Sequence, residues 1–395
     1  MAYINFKEEV YVANNQFKKR IKNNEKLFND IKNSKILSSK YNPDEKYSYR
    51  EFNDMVFGGG HSKSEDGFKE ISNVDIVCTK FINCTFSNIK FKSCKFIGCY
   101  FIESNFNGGG VIFEECTFIK QESDSLPNLN NEDNFSCTFD RCKIYAKFLS
   151  SKLGHVIFND CSLKTTNFEV SDMSNVIIKD STLSMIIIRD SDLSGIKILN
   201  TYIEDLEFRD KDKSKLDEKS FIDKIPLRYK TRDEYEGIYT VYENIADKFK
   251  DNNLKNNFGE YYYLCRKVQR KTLDPLPKIF SFIAYITCGY GERPIYAAYF
   301  SLVVILLFSI LYLVFGIIIN EQLIIYSNFK TGITLKRLLS YYNESLNLSV
   351  GMFAAVGLTE AQPSPASYML TNIEMILGVV MNGVGIGALV KKLVR

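Results

Sequence analysis

A five-residue period runs through the middle of the chain. Bulky apolar residues stand at every fifth position from Leu153 to Phe208, twelve units in succession, and the same period runs from Ile76 to Phe106. A small residue such as Cys94 or Ser104 often stands two positions earlier. A period of five fits neither an α-helix, which repeats every 3.6 residues, nor a flat strand, which repeats every two. Repetition at a short fixed period is typical of a solenoid, which we predict for residues 71–210.

The pattern resembles the pentapeptide-repeat family, whose chains coil as a four-sided right-handed β-helix with one pentapeptide on each side. The resemblance implies that the apolar residue and the small residue before it point inward. With the interrupted parts included, the 23 units of the sequence would make nearly six coils. Such a rod would be about 28 Å tall, because stacked strands lie about 4.8 Å apart. The polar segment 121–134 is predicted to be an insertion, and ligand binding there stays open.

The cysteines and histidines limit the metal, cofactor and catalytic sites that the chain could form. Eight of the ten cysteines fall in the repeat, mostly at inward positions, and Met1–Asn53 is polar without a signal-peptide pattern. We interpret the cysteines as reduced core residues of a cytosolic domain. The histidines are His61 and His155, and there is no Cys-x-x-Cys pair. The sequence therefore predicts no metal site and no cofactor, and without a nucleophile–base pair or a phosphate loop it predicts no enzyme.

The charge of the chain bears on its partners. The 50 basic and 47 acidic residues leave a net charge of +3, too balanced to argue for nucleic acid. Residues 71–210 hold 14 basic and 19 acidic residues. Some soluble pentapeptide-repeat proteins resemble duplex DNA and bind topoisomerases, which requires a strongly acidic rod. The mild acidity favours an interaction surface for an unknown cytoplasmic protein partner, and no nucleic-acid binding is expected.

The segments on either side of the repeat are predicted to be helical. Residues 1–70 carry apolar residues at helical spacing and are predicted to form an N-terminal helical cap. Residues 211–294 are predicted to contain a linker, a hairpin of two helices at 231–250 and 254–271, and an interfacial elbow at 289–294. The hairpin is interpreted as packing the rod against the domain that follows.

Two segments are long and apolar enough to cross a bilayer. Residues 295–319 carry no charge and residues 368–390 carry one, Glu374, whereas a span needs about 20 mostly apolar residues. Basic residues concentrate before the first segment and after the second, and the 48 residues between hold three. Both termini are therefore predicted to be cytoplasmic, in a multi-pass protein of the cell membrane.

The stretch between the spans is predicted to hold a short pore helix and a filter, at about 344–360. This succession resembles the two-span tetrameric potassium channels, whose filter reads Thr-Val-Gly-Tyr-Gly-Asp. The resemblance implies a homotetramer in membrane lipid, conducting monovalent cations (K⁺, Na⁺) through residues 295–395. It assigns the ion pathway to Ala355, Val356, Gly357, Leu358, Thr359 and Glu360.

Two of these filter positions depart from the family pattern. Ala355 stands at the filter threonine and offers no hydroxyl. Thr359 replaces the second glycine, whose left-handed backbone a β-branched residue rarely adopts. Potassium selectivity is therefore not expected to carry over. The alternative function is a membrane-tethered scaffold whose pore has degenerated.

Polar and small residues in the second span are further candidates. Glu374 and Asn382 lie at membrane depth, where polar groups usually face a pore or a protein interface. Eight residues apart, they can occupy one helix face. Glu374 is predicted either to face the pore or to hydrogen-bond the back of the pore helix. Gly383, Gly385 and Gly387 are predicted to form a gating hinge.

The sequence thus predicts a multidomain membrane protein. A cytoplasmic, four-sided right-handed β-helix would precede an α-helical two-span pore domain with a re-entrant pore loop. Its predicted function is that of a weakly selective, homotetrameric cation channel. No span carries an arginine series, so regulation is expected to come from the rod or from lipid.

Overall fold

The computed structural model describes residues 4–34, 41–59, 67–118, 136–325, 334–356 and 360–393. The predicted insertion, 121–134, lies outside the described residues. The predicted filter residues Gly357, Leu358 and Thr359 also lie outside them. The chain divides into two compact units, Met1–Thr272 and Leu273–Arg395. The repeat lies in the first unit and both apolar segments lie in the second.

Short strands dominate the described part of the first unit. Its helices are α1 (Phe6–Ser34), α2 (Arg232–Asp251) and α3 (Lys255–Gln269). Its first strands are β1 (Glu51–Asn53), β2 (Val56–Gly58), β3 (Lys69–Ser72), β4 (Asp75–Val77), β5 (Lys80–Ile82), β6 (Thr85–Lys92), β7 (Lys95–Ile97), β8 (Tyr100–Ile102), β9 (Asn105–Glu114) and β10 (Thr138–Asp140). The remaining strands are β11 (Lys143–Leu149), β12 (Ile157–Asn159), β13 (Ser162–Lys164), β14 (Asn167–Glu169), β15 (Ile177–Lys179), β16 (Thr182–Ser184), β17 (Ile186–Arg189), β18 (Lys197–Leu199), β19 (Tyr202–Ile203), β20 (Leu206–Phe208) and β21 (Phe221–Ile222).

The predicted solenoid is confirmed, because successive coils stack as parallel strands. Ile157 lies opposite Ile177, which lies opposite Lys197, so each of these coils takes 20 residues, or four pentapeptides. One side of the rod is the sheet β1-β5-β8-β10-β12-β15-β18-β21. A second sheet covers two further sides, because the long strand β11 pairs with β13 on one and with β14 on the other.

The β-helix is longer than the predicted range 71–210 and makes about seven turns, not nearly six. At its start β1 pairs with β5, and β2 pairs with β6. At its end β21 pairs with β18. Phe52 and Phe57 are five residues apart and point into the stack above Phe81 and Phe86. The first coil therefore follows the five-residue period of the sequence. The last coil does not, because an irregular connection leads from β20 to β21.

Aromatic rings fill the interior of the early coils in columns. Phe81, Phe101, Phe139 and Phe158 stack with centroid separations of 4.9, 4.6 and 4.9 Å. These separations match the spacing of stacked strands. In the later coils aliphatic side chains such as Ile198 take the inward positions and are equally buried. The rod therefore has a continuous apolar core in which each residue rests on its counterparts one coil away.

Small inward residues tie neighbouring coils together by hydrogen bonds. The Ser171 hydroxyl donates to the carbonyl of Phe148 at 3.2 Å and accepts from the backbone N–H of Ser151 at 3.3 Å. Ser191 repeats the arrangement with Phe168 and Ser171. The cysteines of the repeat are buried and free of disulfides. Burial raises the pKa of the Cys161 thiol well above its usual value, so this thiol stays protonated and unreactive.

Residues with left-handed backbone form the corners along most of the long run. Asp160, Thr165, Val170, Asn175 and Asp180 have φ angles of 50°, 51°, 52°, 55° and 50°. This conformation is unfavourable for β-branched side chains. Val170 adopts it because its N–H is held by the carbonyl of Arg189 in the next coil, at 2.9 Å. No residue type is fixed at the corners, so the sequence alone did not reveal them.

The predicted N-terminal cap is instead a single helix lying along one side of the rod. Phe28 and Ile31 pack against Val77 and Tyr100 of early coils, whereas residues near the other end of α1 pack on Leu199 and Phe221 of late coils. With 29 residues, α1 is about 43 Å long at 1.5 Å per residue. Seven turns at about 4.8 Å make a rod of about 34 Å. The helix is therefore long enough to reach from the first coil to the last.

The predicted helical hairpin is present as α2 and α3, and it covers the last coil of the rod. The Tyr261 hydroxyl accepts from the N–H of Ile222 at 2.8 Å and donates to its carbonyl at 2.9 Å. The Tyr242 hydroxyl accepts from the N–H of Ile225 at 2.8 Å. These bonds satisfy backbone groups that an uncovered end strand would leave unpaired. The hairpin thus caps the β-helix, as terminal segments of solenoids do.

An ion pair fastens this cap to the rod and predicts a response to acid. Lys248 Nζ lies 2.7 Å from Asp210 Oδ2. Burial raises the pKa of Asp210, but hydrogen bonds from Lys248 and Ser214 outweigh it and lower the pKa to about 2. The stabilisation is therefore complete above about pH 4, the pKa in the unfolded chain, and is lost as the pH falls towards 2.

Asp210→Asn is accordingly expected to remove part of the pH dependence of stability between pH 4 and pH 2. The measurement is the urea midpoint of both proteins across that range. Asp251→Asn is the matched control, because Asp251 also contacts Lys248, at 3.2 Å, but is 56% exposed. Parallel pH profiles for the wild type and Asp210→Asn would contradict the assignment.

The second unit is mainly helical in its described part. Its helices are α4 (Pro275–Cys288), α5 (Pro294–Phe315), α6 (Leu335–Phe353) and α7 (Tyr368–Leu393), with 3₁₀ turns at Gly289–Gly291 and Pro365–Ser367. Its strands are β22 (Ile317–Ile319), β23 (Gln322–Ile324) and β24 (Gln362–Pro363), paired in the order β23-β22-β24.

The helix boundaries differ from the predicted ones. The first apolar helix ends at Phe315 and not at residue 319, because Gly316 has a φ of 101° and the next three residues form β22. The second extends to Leu393 and not to 390. The helix between them is Leu335–Phe353; it begins before residue 344, where the predicted pore helix and filter (about 344–360) begin, and it ends before the predicted filter residues. Apolarity predicted where these helices lie, but not the glycine that ends the first.

Candidate functional site

A buried carboxylate joins the three helices α5, α6 and α7. Glu374 of α7 is fully buried. Its Oε2 accepts a hydrogen bond from the hydroxyl of Tyr312 on α5 at 2.6 Å, and its Oε1 contacts the hydroxyl of Ser349 on α6. Of the two predicted roles, the geometry supports hydrogen bonding to the back of α6. The side chain is enclosed by its own chain and does not point to an open surface.

Helix α6 is held against α5 by two serines. The Ser345 hydroxyl donates to the carbonyl of Ser309, and the Ser349 hydroxyl lies 2.9 Å from the carbonyl of Ile305. Both serines are completely buried. Helix α6 therefore has polar anchors on its inner side, and they fix its position relative to α5 over about one helical turn.

The end of α6 rests directly on α7. A Cβ added at Gly378 would lie 1.9 Å from the carbonyl oxygen of Phe353, a separation that no side chain tolerates. The glycine therefore permits the last turn of α6 to touch the backbone of α7. The sequence showed Gly378 as one of four glycines in the second span, but it assigned a functional role only to the later three, because a glycine inside an apolar helix does not reveal what approaches it.

The first predicted filter residues follow α6 in a helix-ending turn. The N–H of Val356 bonds the carbonyl of Gly351 and the N–H of Ala355 bonds that of Met352, both at 3.0 Å. With a φ of 56° at Ala355, this is a Schellman motif with alanine in the left-handed position that glycine usually takes. Val356 and Glu360 are exposed. The ion-pathway assignment of Ala355 to Glu360 stays a prediction.

The predicted polar and glycine positions of α7 do not share one environment. Asn382 is exposed, whereas Glu374 is buried, because eight residues at 100° each leave the two side chains about 80° apart. Gly383 and Gly387 have open space where a Cβ would stand. A Cβ added at Gly385 would lie 3.6 Å from the Ala297 Cβ of α5. The gating-hinge role of these three glycines stays a prediction.

The predicted elbow contains an ion pair that sequence reasoning missed. Gly289, Tyr290 and Gly291 all have left-handed backbone, with φ of 53°, 58° and 80°. They turn the chain between α4 and α5. The next residue, Glu292, is fully buried and lies 2.8 Å from Lys391 Nζ near the end of α7. The elbow is therefore connected to both apolar helices.

Two helices of the second unit could cross a membrane by length and composition. They are Pro294–Phe315, with mean hydropathy 2.6, and Pro365–Leu393, with mean hydropathy 1.9. Only 28% and 22% of their most apolar 18-residue stretches are buried, so the apolar side chains there are largely exposed. Among the described residues, no three His, Cys, Asp or Glu side chains come together as metal ligands would.

Comparison with known proteins bears on the repeat. Residues 81–121 match the family model described as "Pentapeptide repeats (9 copies)". No curated protein matches the chain.

Among solved structures, the chain is similar to QnrB1, described as a plasmid-mediated fluoroquinolone resistance protein. A trypsin-treated variant is 16% identical with a TM-score of 0.24, over 41% of this chain and 72% of that one. Full-length QnrB1 is 13% identical with a TM-score of 0.20, over 43% and 94%. A second trypsin-treated variant is 12% identical with a TM-score of 0.19, over 45% and 91%. The assignment of the repeat rests on the family match and on the stacked five-residue units.

Proposed function

We propose that this chain, in which a pentapeptide-repeat β-helix precedes two apolar helices, is a subunit of a homotetrameric cation channel. The observation that carries the proposal is the placement of α6. This helix lies between two apolar helices in the sequence, is anchored to α5 by buried serines, and ends against Gly378 of α7. A span, a buttressed shorter helix, an irregular segment and a second span form the pattern of a pore domain.

Exposed apolar surface supports an assembly in lipid. The chain offers two spans, which cannot enclose a pore alone, so a ring of identical subunits is required. The apolar side chains of α5 and α7, which are largely exposed, would face lipid or neighbouring subunits. Asn382 and Gly383, on the exposed part of α7, are the residues we assign to the inner pore. The rod would lie in the cytoplasm and bind a regulatory protein partner.

The second candidate function is a membrane-tethered scaffold. Its motivation is the turn after α6, where Ala355 adopts a left-handed backbone and carries no hydroxyl to offer an ion. In this alternative the rod binds its partner as in the first, but the pore has degenerated and conducts nothing.

Single-channel recording of the purified chain in planar bilayers separates the two functions. Unitary currents carried by K⁺ or Na⁺, from a species that is a tetramer by mass, are the result expected of the channel. The partner captured by cross-linking to the rod is then added to the recording. A stable tetramer that conducts neither with nor without this partner would favour the scaffold function.

Ion choice gives a second, independent test of the pore. Selectivity depends on how many rings of backbone carbonyls replace the hydration shell and on how they are held. Without a hydroxyl at Ala355 or a glycine at Thr359, fewer rings are expected, so cations should be favoured over anions while K⁺ and Na⁺ are poorly distinguished. A reversal potential at the K⁺ equilibrium value under bi-ionic conditions would refute this.

Glu360→Gln is expected to lower cation conductance. Four exposed carboxylates at the outer mouth would concentrate cations there, and their effect should fade as salt is raised, because the screening length falls from about 30 Å at 0.01 M to about 10 Å at 0.1 M. Glu321→Gln, an exposed carboxylate in the turn between β22 and β23, is the control with a smaller effect. Equal losses from the two substitutions, or a loss independent of salt, would contradict the assignment.

A further inference from the structure

Helix α4 exposes an apolar stripe. Leu276, Ile279, Phe280 and Ile283 are 68%, 57%, 65% and 46% exposed. Positions i, i+3, i+4 and i+7 lie on one face of a helix, so these side chains form a single continuous surface. Isolated exposed apolar residues are ordinary, whereas a contiguous apolar patch marks an interaction surface.

The opposite side of α4 carries polar groups, two of which contact the elbow. It carries Lys278, Ser281 and Tyr285. The hydroxyls of Ser281 and Tyr290 lie 3.1 Å apart, and the rings of Tyr285 and Tyr290 are 6.1 Å apart. Helix α4 is therefore amphipathic, and its polar side is the one connected to the turn that leads into α5.

The length of α4 excludes a third span. Its 14 residues make about 21 Å at 1.5 Å per residue, whereas the hydrocarbon core of a bilayer is about 30 Å thick. A helix of this length with an apolar stripe and a polar opposite side is suited to lie along a bilayer surface, with its apolar face about 5–10 Å deep.

The elbow fixes the direction of α4 at the start of α5. Three consecutive left-handed residues turn the chain there, and the buried Glu292 is paired with Lys391 of α7. A Cβ at Gly291 would lie 3.3 Å from Lys391 Nζ, so the turn is closely packed. Because only five residues separate the end of α4 at Cys288 from the start of α5 at Pro294, the stripe of α4 is close to the end of the span that would enter the bilayer.

We propose that α4 lies in the interface of the bilayer that α5 crosses, with Leu276, Ile279, Phe280 and Ile283 among the upper acyl chains. Lys278, on the opposite side, then faces the phosphates and water. The inference rests on the proposed membrane location of α5. The occupant of the stripe is lipid, because its apolar surface is continuous in sequence with a helix whose own apolar surface is exposed.

The absence of tryptophan from the chain allows a direct test. Four variants each carry a single fluorophore: Phe280→Trp on the stripe, Lys278→Trp on the opposite side of α4, Leu302→Trp on the exposed side of α5, and Tyr11→Trp on the exposed side of α1. Each full-length variant is reconstituted into phosphatidylcholine vesicles whose lipids carry bromine at a shallow or a deep acyl position. Quenching of the fluorescence then reports depth in the bilayer.

Phe280→Trp is expected to be quenched several-fold more by shallow bromines than Lys278→Trp, with emission shifted to the blue. Leu302→Trp should respond best to deep bromines and Tyr11→Trp to neither. If Leu302→Trp is quenched and Phe280→Trp is not, the inference on α4 is wrong while the proposed span stands. A blue-shifted but unquenched Phe280→Trp would mean that protein, a second copy or a partner, covers the stripe. If Leu302→Trp is not quenched either, the proposed membrane location of α5 is wrong.

Discussion

Replacing Phe168 by aspartate is expected to unfold much of the β-helix at temperatures where the wild type is folded. Phe168 is 1% exposed and stacks on Phe148 with ring centroids 5.1 Å apart. The substitution removes an aromatic side chain from the core, at a cost of about 3–5 kcal/mol, and buries a charge without a partner, which adds several more. Since a folded domain is stable by only about 5–15 kcal/mol, little stability would remain.

The measurement is hydrogen exchange of the full chain, read strand by strand, together with thermal melting by circular dichroism. Protection should be lost first in β11, β14 and β17, which stack at this position, and then along the rod, because each coil rests on its neighbours. Val170→Asp is the matched control. It places the same charge two residues away on a side chain that is 60% exposed, and should leave protection unchanged. Unaltered protection in Phe168→Asp would refute the inward assignment of the repeat.

Gly378→Ala is expected to destabilise the second unit although alanine favours helices. The gain in helix propensity is about 1 kcal/mol. Against it stands the contact at 1.9 Å between the new Cβ and the Phe353 carbonyl oxygen, which forces α6 away from α7. Overpacking of this kind costs about 1–3 kcal/mol and more when backbone must move. Displacing α6 would also strain the contact between Ser349 and Glu374.

Helical melting in detergent measures the effect. Gly383→Ala is the matched control, because the same methyl group on the same helix meets nothing within 4 Å. It should melt at or above the wild-type temperature, and Gly378→Ala clearly below it. If both variants are stabilised, α6 does not pack on α7 as described, and the main support for the proposed pore domain is removed with it.

The rod could be predicted from the sequence because its signal is local. The inward position of Phe81 or Phe168 follows from its place in the five-residue period, and the structure agrees in both cases. The path of α1 could not be predicted. Its apolar residues indicated a helix, but contacts such as those of Arg20 with the carbonyls of His155 and Asn175 join positions far apart in the chain. Periodicity contains no information about such pairs.

In the second unit, composition predicted the helices but not the contacts between them. Apolar runs identified α5 and α7 without revealing that Gly316 ends the first. A charge at membrane depth singled out Glu374, yet its partners Tyr312 and Ser349 come from two other helices. Glu292 gave no signal at all, because a glutamate beside an apolar segment is ordinarily exposed. Its burial results from the folded elbow and from Lys391.

The position of α1 along the whole rod has a consequence for biosynthesis. Glu9 of α1 pairs with Lys197, which is translated 188 residues later. At about 5–20 residues per second, α1 leaves the ribosome roughly 10–40 seconds before that partner exists. During this interval the start of α1, including Phe6 and Val10, has no late coil to pack on. The start of α1 can therefore dock only after the last coils have formed, so its docking marks the completion of the rod.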